Sequence, residues 1–394
     1  MLLKSLKSLL VALLLLTLIG CGSSGKEPST SNSEVTLGAE VENDNVNNIE
    51  ETNDETENNN VASQPPVEEV QFNYPSIGYI LNKIPSKVTL SSDGKQIYLA
   101  HGIEGFSIIN IADKNDAFLL GDYSSPKFGI AIDDIVSSSD GNTLYLGTSE
   151  GIYIYDISDL DNLVNIGFFS ASFSTKMTLN KDGKILYVQG SDGLFILDVS
   201  TPNSIIQLGF YETFDLKDIV LSKDETLIYL ATGSLVNGGM EIVDISNKNR
   251  PILKSKLFDE ISEHVDRIVL SEDGTKMYVA NSTKEFITQE VILRKKYLTV
   301  VDISSSTNPK ILKTTERYES EYKYFGMELS LDKNKIYIGA GSKGFAVMSI
   351  ANNEPRKIGL NQVDGNIWDF VLSLDKQLAY IVTGNRNLLI MDIK

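Results

Sequence analysis

The chain has 394 residues, 42% of them hydrophobic, and a formal net charge of −18. That acidic balance excludes electrostatic adhesion to nucleic acid or to an anionic bilayer face. A single cysteine excludes a disulfide framework, and two histidines far apart in the chain leave little for a transition-metal site.

Residues 1–20 read as a secretory signal. Lys4 and Lys7 precede an apolar run, Leu9 to Ile19, that is too short for a comfortable bilayer span. The run ends in Leu18-Ile19-Gly20-Cys21, which resembles the lipobox of bacterial lipoproteins. The resemblance implies cleavage before Cys21 and lipidation of that cysteine; an ordinary signal with an incidental cysteine is the alternative. Gly22, in place of an aspartate, implies the outer membrane or cell surface if the source has a Gram-negative envelope. Residues 21–69 read as the lipidated cysteine followed by a disordered tether, since residues 22–69 hold 12 acidic residues, one lysine and almost no bulky apolar ones. A flexible coil of that length spans about 40 Å r.m.s.. Pro65-Pro66 marks its end.

Residues 70–394 carry a repeat with three readable parts. The first is an apolar strand ending in a turn such as Ser91-Ser92-Asp93-Gly94, where the aspartate bonds backbone two residues on and the glycine tolerates positive φ. The second is a strand with tyrosine at one fixed place: Tyr98, Tyr145, Tyr187, Tyr229, Tyr278, Tyr337 and Tyr380. The third runs Gly193-Leu194-Phe195-Ile196-Leu197-Asp198-Val199-Ser200 and recurs seven times, with Asn110 and Ser349 replacing the aspartate in two copies. A fourth strand follows a proline or polar turn. The turn aspartates are spaced 47, 42, 42, 49, 59 and 43 residues apart. Four short strands per such period predict an all-β, seven-bladed β-propeller of four-stranded blades. Blade 7 lacks an outer strand before Lys394, and residues 70–81 are expected to supply it, closing the ring and removing both edges.

The Tyr-containing strands followed by Gly-Leu-Phe-Ile-Leu-Asp-Val-Ser and its copies resemble the LVIVD-repeat family of bacterial envelope propellers, over nearly all of residues 70–394. The resemblance implies architecture and envelope location more than activity. Residues used seven times are read as structural: the aspartate of Asp-Ile-Ser caps a turn, and the tyrosine packs between blades.

Non-repeated features are the better functional clues. Extra length falls on one face, in Gly233 to Gly238 of blade 4, Ser282 to Tyr297 of blade 5, and Thr314 to Tyr324 before blade 6. Insertions on one face mark a binding face, with Phe286, Tyr318 and Tyr322 as candidate contacts, although an extended hairpin that merely caps blade 5 fits equally. Six residues before each turn aspartate stand Lys87, Asp134, Lys176, Asp218, Arg267, Gly326 and Asp369. This ring of nearly alternating charge is expected at the channel mouth on the same face, either as salt-bridged architecture or as a polar-solute site. Asp134, Asp218 and Asp369 are the weak metal candidates, with calcium the fitting ion, and no other cofactor is indicated. His264 is the one acid–base candidate near that face.

These readings converge on a monomeric, lipid-anchored, non-catalytic module for an envelope protein, an extracellular protein or a polysaccharide. The alternative is a propeller enzyme resembling lactonases or quinone-dependent dehydrogenases, with its site at the channel mouth; fold analogy alone carries that second reading.

Overall fold

The computed structural model describes residues 70–394 apart from 73, 172–175, 234–238, 258–262, 287–291, 316–317 and 320–325. The signal, Cys21 and the tether lie outside the described residues, as do most of the blade 4 insertion and Tyr322.

The turn Ser91 to Gly94 sets the local rule. Ser91 Oγ donates to Asp93 Oδ1 at 2.7 Å, Asp93 Oδ1 accepts from Lys95 N at 3.0 Å, and Ser91 Oγ accepts from Gln96 N at 2.9 Å. The fourth turn residue then falls in the left-handed region, with φ of 71° at Gly94. Blades 4, 6 and 7 hold Glu225, Lys333 and Lys376 there at 57°, 59° and 53°. The Ser–Asp network therefore imposes the turn even where glycine is absent.

Each turn joins the first two strands of an antiparallel sheet, and the described residues form seven such sheets. Blade 1 is Lys87–Leu90, Gln96–Ala100, Phe106–Asn110 and Phe118–Tyr123, and blades 2 to 6 repeat that order. Seven apolar clusters fill the seven junctions between neighbouring blades. All seven repeated tyrosines are buried. The glycine opening the third strand is explained by close approach: a Cβ on Gly193 would stand 2.1 Å from the Tyr211 carbonyl oxygen. The residue ending that strand accepts a backbone N–H two residues on in every blade. Asp198 does so at 2.9 Å, Asn110 at 3.0 Å, and Ser349 through its hydroxyl at 3.4 Å.

The ring closes through the N-terminal segment, with one difference from expectation. Ser76–Ile80 pairs antiparallel with Asn387–Asp392 and completes blade 7. Val70–Phe72 instead pairs in parallel with Arg356–Asn361 and adds a fifth strand to blade 6. Phe72 and Tyr74 stack with ring centroids 5.3 Å apart and pack on the cluster between blades 6 and 7. The segment thus spans two blade edges.

Candidate functional site

The innermost strands enclose a cavity of about 800 Å³, lined at its mouth by all seven ring residues from Lys87 to Asp369. The three aspartates have architectural work there. Asp134 Oδ2 accepts from Met177 N at 2.6 Å, Asp218 Oδ2 from Ile268 N at 3.0 Å, and Asp369 Oδ2 from Val88 N at 3.4 Å. Each bond crosses to the next blade, so three of the seven junctions are stapled at the mouth. Two of the aspartates also face cations: Lys176 Nζ is 3.3 Å from Asp218 Oδ1, and Lys87 Nζ is 3.9 Å from Asp369 Oδ2, the oxygen that accepts from Val88. Burial raises the Asp134 carboxyl pKa against the pull of Lys176 and Lys87, while the Asp218 carboxylate raises that of Lys176. Arg267 donates to the Lys217 and Asp266 carbonyls at 3.1 and 2.7 Å. Among the described residues, no group of three or more His, Cys, Asp or Glu side chains is placed to hold a metal ion.

Glu328 also lines the cavity, two residues into the strand that begins at Gly326. Burial pushes its carboxyl up to about 7, against the pull of Lys376 and Lys176. A lone carboxyl poised near neutrality can bind a cation or exchange a proton. The signal was available: the residues four before each turn aspartate are threonine or valine in six blades and glutamate only in blade 6.

Blade 5 rises above the mouth. Its second and third strands, Lys276–Phe286 and Ile292–Asp302, have 11 residues each, paired from Lys276↔Asp302 out to Phe286↔Ile292. Second strands in the other blades have five or six. Tyr318–Glu319 adds a short strand against Lys295 and Lys296. The insertion is therefore an extended hairpin, with Phe286 at the end of its first strand. At its base Lys296 is buried and hydrogen-bonded to Asp266. His264 pairs across from Ser282 in this blade and is buried; it is absent from the cavity lining, so the structure does not bring it to the aspartates.

A second polar constellation lies in a cavity of about 120 Å³ between the outer part of blade 1 and the segment leaving blade 7. Ser107 Oγ is 2.7 Å from His101 Nε2 and donates to Asp122 Oδ1 at 3.0 Å, and Lys83 Nζ reaches the same oxygen at 2.6 Å. With its proton on Asp122, the serine accepts from Nε2–H. The serine thus stands between histidine and aspartate, whereas nucleophilic catalysis needs the histidine between the other two. Burial, reinforced by the Lys83 ammonium, pulls the imidazole down to about 4.

Residues 182–213, 229–258 and 291–315 match the LVIVD repeat. The chain carries LVIVD repeats in a seven-bladed propeller. They fall on blades 3, 4 and 5, each of which ends its third strand in aspartate. No curated protein sequence matches the chain. Among solved structures it is similar to the hydrazine synthase of Kuenenia stuttgartiensis, with a TM-score of 0.62 and 12% identity over 84% of this chain and 99% of that one. A chain of a mitotic checkpoint complex has a TM-score of 0.64 and 13% identity, over 84% and 95%. Likeness at that identity speaks for the fold alone.

Proposed function

We propose that this LVIVD-repeat propeller is a lipid-anchored module of the bacterial envelope whose mouth face binds another envelope protein or an extracellular polymer, without catalysis. The observation that carries the reading is the blade 5 hairpin. It projects from the face onto which the channel opens, and it lengthens one blade without being needed to close the ring. Loops and projections set on a rigid scaffold are where propellers place recognition. The lipobox-like Cys21 and the acidic tether support presentation at a membrane, with like charges extending the tether away from it.

The test is a trimmed hairpin in which a two-residue Asn-Gly turn replaces Glu285 to Leu293 and joins Lys284 to Arg294, which already face each other in register. The cut stops short of Lys296 and so keeps its bond to Asp266. Binding of the purified protein to the envelope fraction of the source cell is expected to fall at least about tenfold, the range of a lost interface hot spot. The melting temperature is expected to stay within a few degrees. Undiminished binding by the trimmed protein would place recognition elsewhere.

A further inference from the structure

Below the charged mouth the channel changes character. Alternate residues of each innermost strand face the lumen, so the next layer down lies about 7 Å deeper. There the lining consists of Val136, Val220, Val269, Val371, Thr89 and Glu328. Five of these six offer a methyl-rich wall, and the sixth is an acid. Among the described residues the Glu328 carboxylate has neither a hydrogen bond nor an ion pair, and the lysines that act on it stand beyond ion-pair reach. A half-buried carboxylate with no protein donor leans on channel water, and a ligand that supplies the donor takes that place.

Glu328 lines the same cavity as the mouth ring. At the mouth ring blade 6 has Gly326 directly above Glu328, and a Cβ there would approach the Phe370 ring to 2.8 Å. Blade 6 thus sets no side chain into the mouth ring, and the Phe370 ring of blade 7 packs against its backbone there. The three cations and three aspartates of the mouth ring balance, so the mouth presents no net barrier to a charged solute. Lys176 and Lys376 lie near enough to favour the ionised carboxylate. The same two charges oppose a doubly charged cation, and the valine walls offer an inorganic ion nothing in exchange for its hydration shell.

We propose that the channel binds a small primary aliphatic ammonium ion, its head group on Glu328 and its alkyl chain against Val136, Val220, Val269 and Val371. This site goes beyond the macromolecular face proposed above and stands or falls separately from it, since the trimmed hairpin leaves the channel lining intact. The groups facing Glu328 are Lys176, Asp218 and Asp369 at the mouth and Lys376 from blade 7, with Lys87, Asp134 and Arg267 completing the ring and Glu272 and Lys333 at the far end. The Glu328 carboxyl is held near 7, so binding at pH 6 displaces its proton.

Calorimetric titration of the full chain with butylammonium chloride, at pH 6 and pH 8, tests the site. The expected result is millimolar binding that tightens about tenfold at the higher pH, with a heat at pH 6 that varies with the buffer because a proton is released. Glu328→Gln, which keeps the shape and removes a buried charge, is expected to weaken binding at least about tenfold. Sodium butyrate and potassium chloride, at matched concentration, serve as anion and inorganic-cation arms and are expected to give no saturable heat. Equal binding by the Glu328→Gln protein, or an equal response to butyrate or potassium, would overturn the proposal.

Discussion

Deleting residues 70–81 from the propeller domain is expected to cost about 5 kcal/mol, the sum of some five net hydrogen bonds of about 1 kcal/mol each, with further loss from side chains uncovered. The deletion removes the strand paired with Asn387–Asp392 from Ser76↔Met391 to Ile80↔Asn387. It also removes Leu81 N to the Arg386 carbonyl at 2.7 Å and the bond from Asp392 N to the Pro75 carbonyl at 2.9 Å. Tyr79 and Leu81 leave the cluster between blades 7 and 1, and the Tyr79 hydroxyl no longer holds Lys114 and Ala117. Deleting residues 70–74 alone strips the parallel strand on blade 6, the Phe72–Tyr74 stack and the bond from Tyr74 N to Asn361 Oδ1. That smaller change is expected to cost about half as much, in proportion to the three residue pairs and two partly buried rings involved. Urea denaturation midpoints of the two truncated domains, set against the intact one, decide the matter. Equal midpoints for all three would mean that the ring does not depend on its N-terminal strand.

Two buried groups are expected to tilt stability with pH in opposite directions. His101 is held near 4, below its ordinary 6.5, so as pH falls from 6.5 to 4 the unfolded chain takes up a proton that the folded one refuses. Stability is therefore lost on the acid side of that window. Glu328 is held near 7, above its ordinary 4.5, so as pH rises from 4.5 to 7 the unfolded chain ionises while the folded one resists. Stability is lost on the neutral side. Each difference is worth about 3 kcal/mol, and in the parent protein the two largely offset. Single variants expose them. Glu328→Gln is expected to gain stability steadily from pH 4 to 6.5, and His101→Gln to lose it from pH 4.5 to 7, where the raised Asp134 acts in the same sense. Parallel profiles for the two variants, measured by chemical denaturation, would contradict these assignments.

Much of this architecture was legible because its parts are local. The Ser-x-Asp-Gly turn, the tyrosine, and the Gly and Asp bounding the third strand each do their work within a few residues. Their sevenfold recurrence then gives the blade number and the offset of the mouth ring. Function at that ring was less legible. The spacing correctly placed Asp134, Asp218 and Asp369 at one mouth, but only the fold shows that each holds a backbone N–H of the next blade. Glu328 is silent at the offset of the charged ring because it stands two positions on, where the other blades carry threonine or valine. Other features depend on how distant strands meet. The pairing of Val70–Phe72 with blade 6 follows from where that edge lies, and the His101–Ser107–Asp122 chain joins two strands of blade 1 and the loop that enters the first of them. Lys296, in sequence part of an insertion, turns out to be a buried anchor because its register sets it opposite Ser282.

That the hairpin-bearing face is the face that meets a partner is tested most directly by photo-cross-linking in the living source cell. A benzoylphenylalanine at Lys284, on the blade 5 hairpin, is compared with one at Asn142, in the exposed blade 2 turn at the opposite end of the strands. A discrete cross-linked species is expected from position 284 and none from position 142. Cross-linking from position 142 alone would show that the protein works through its other face.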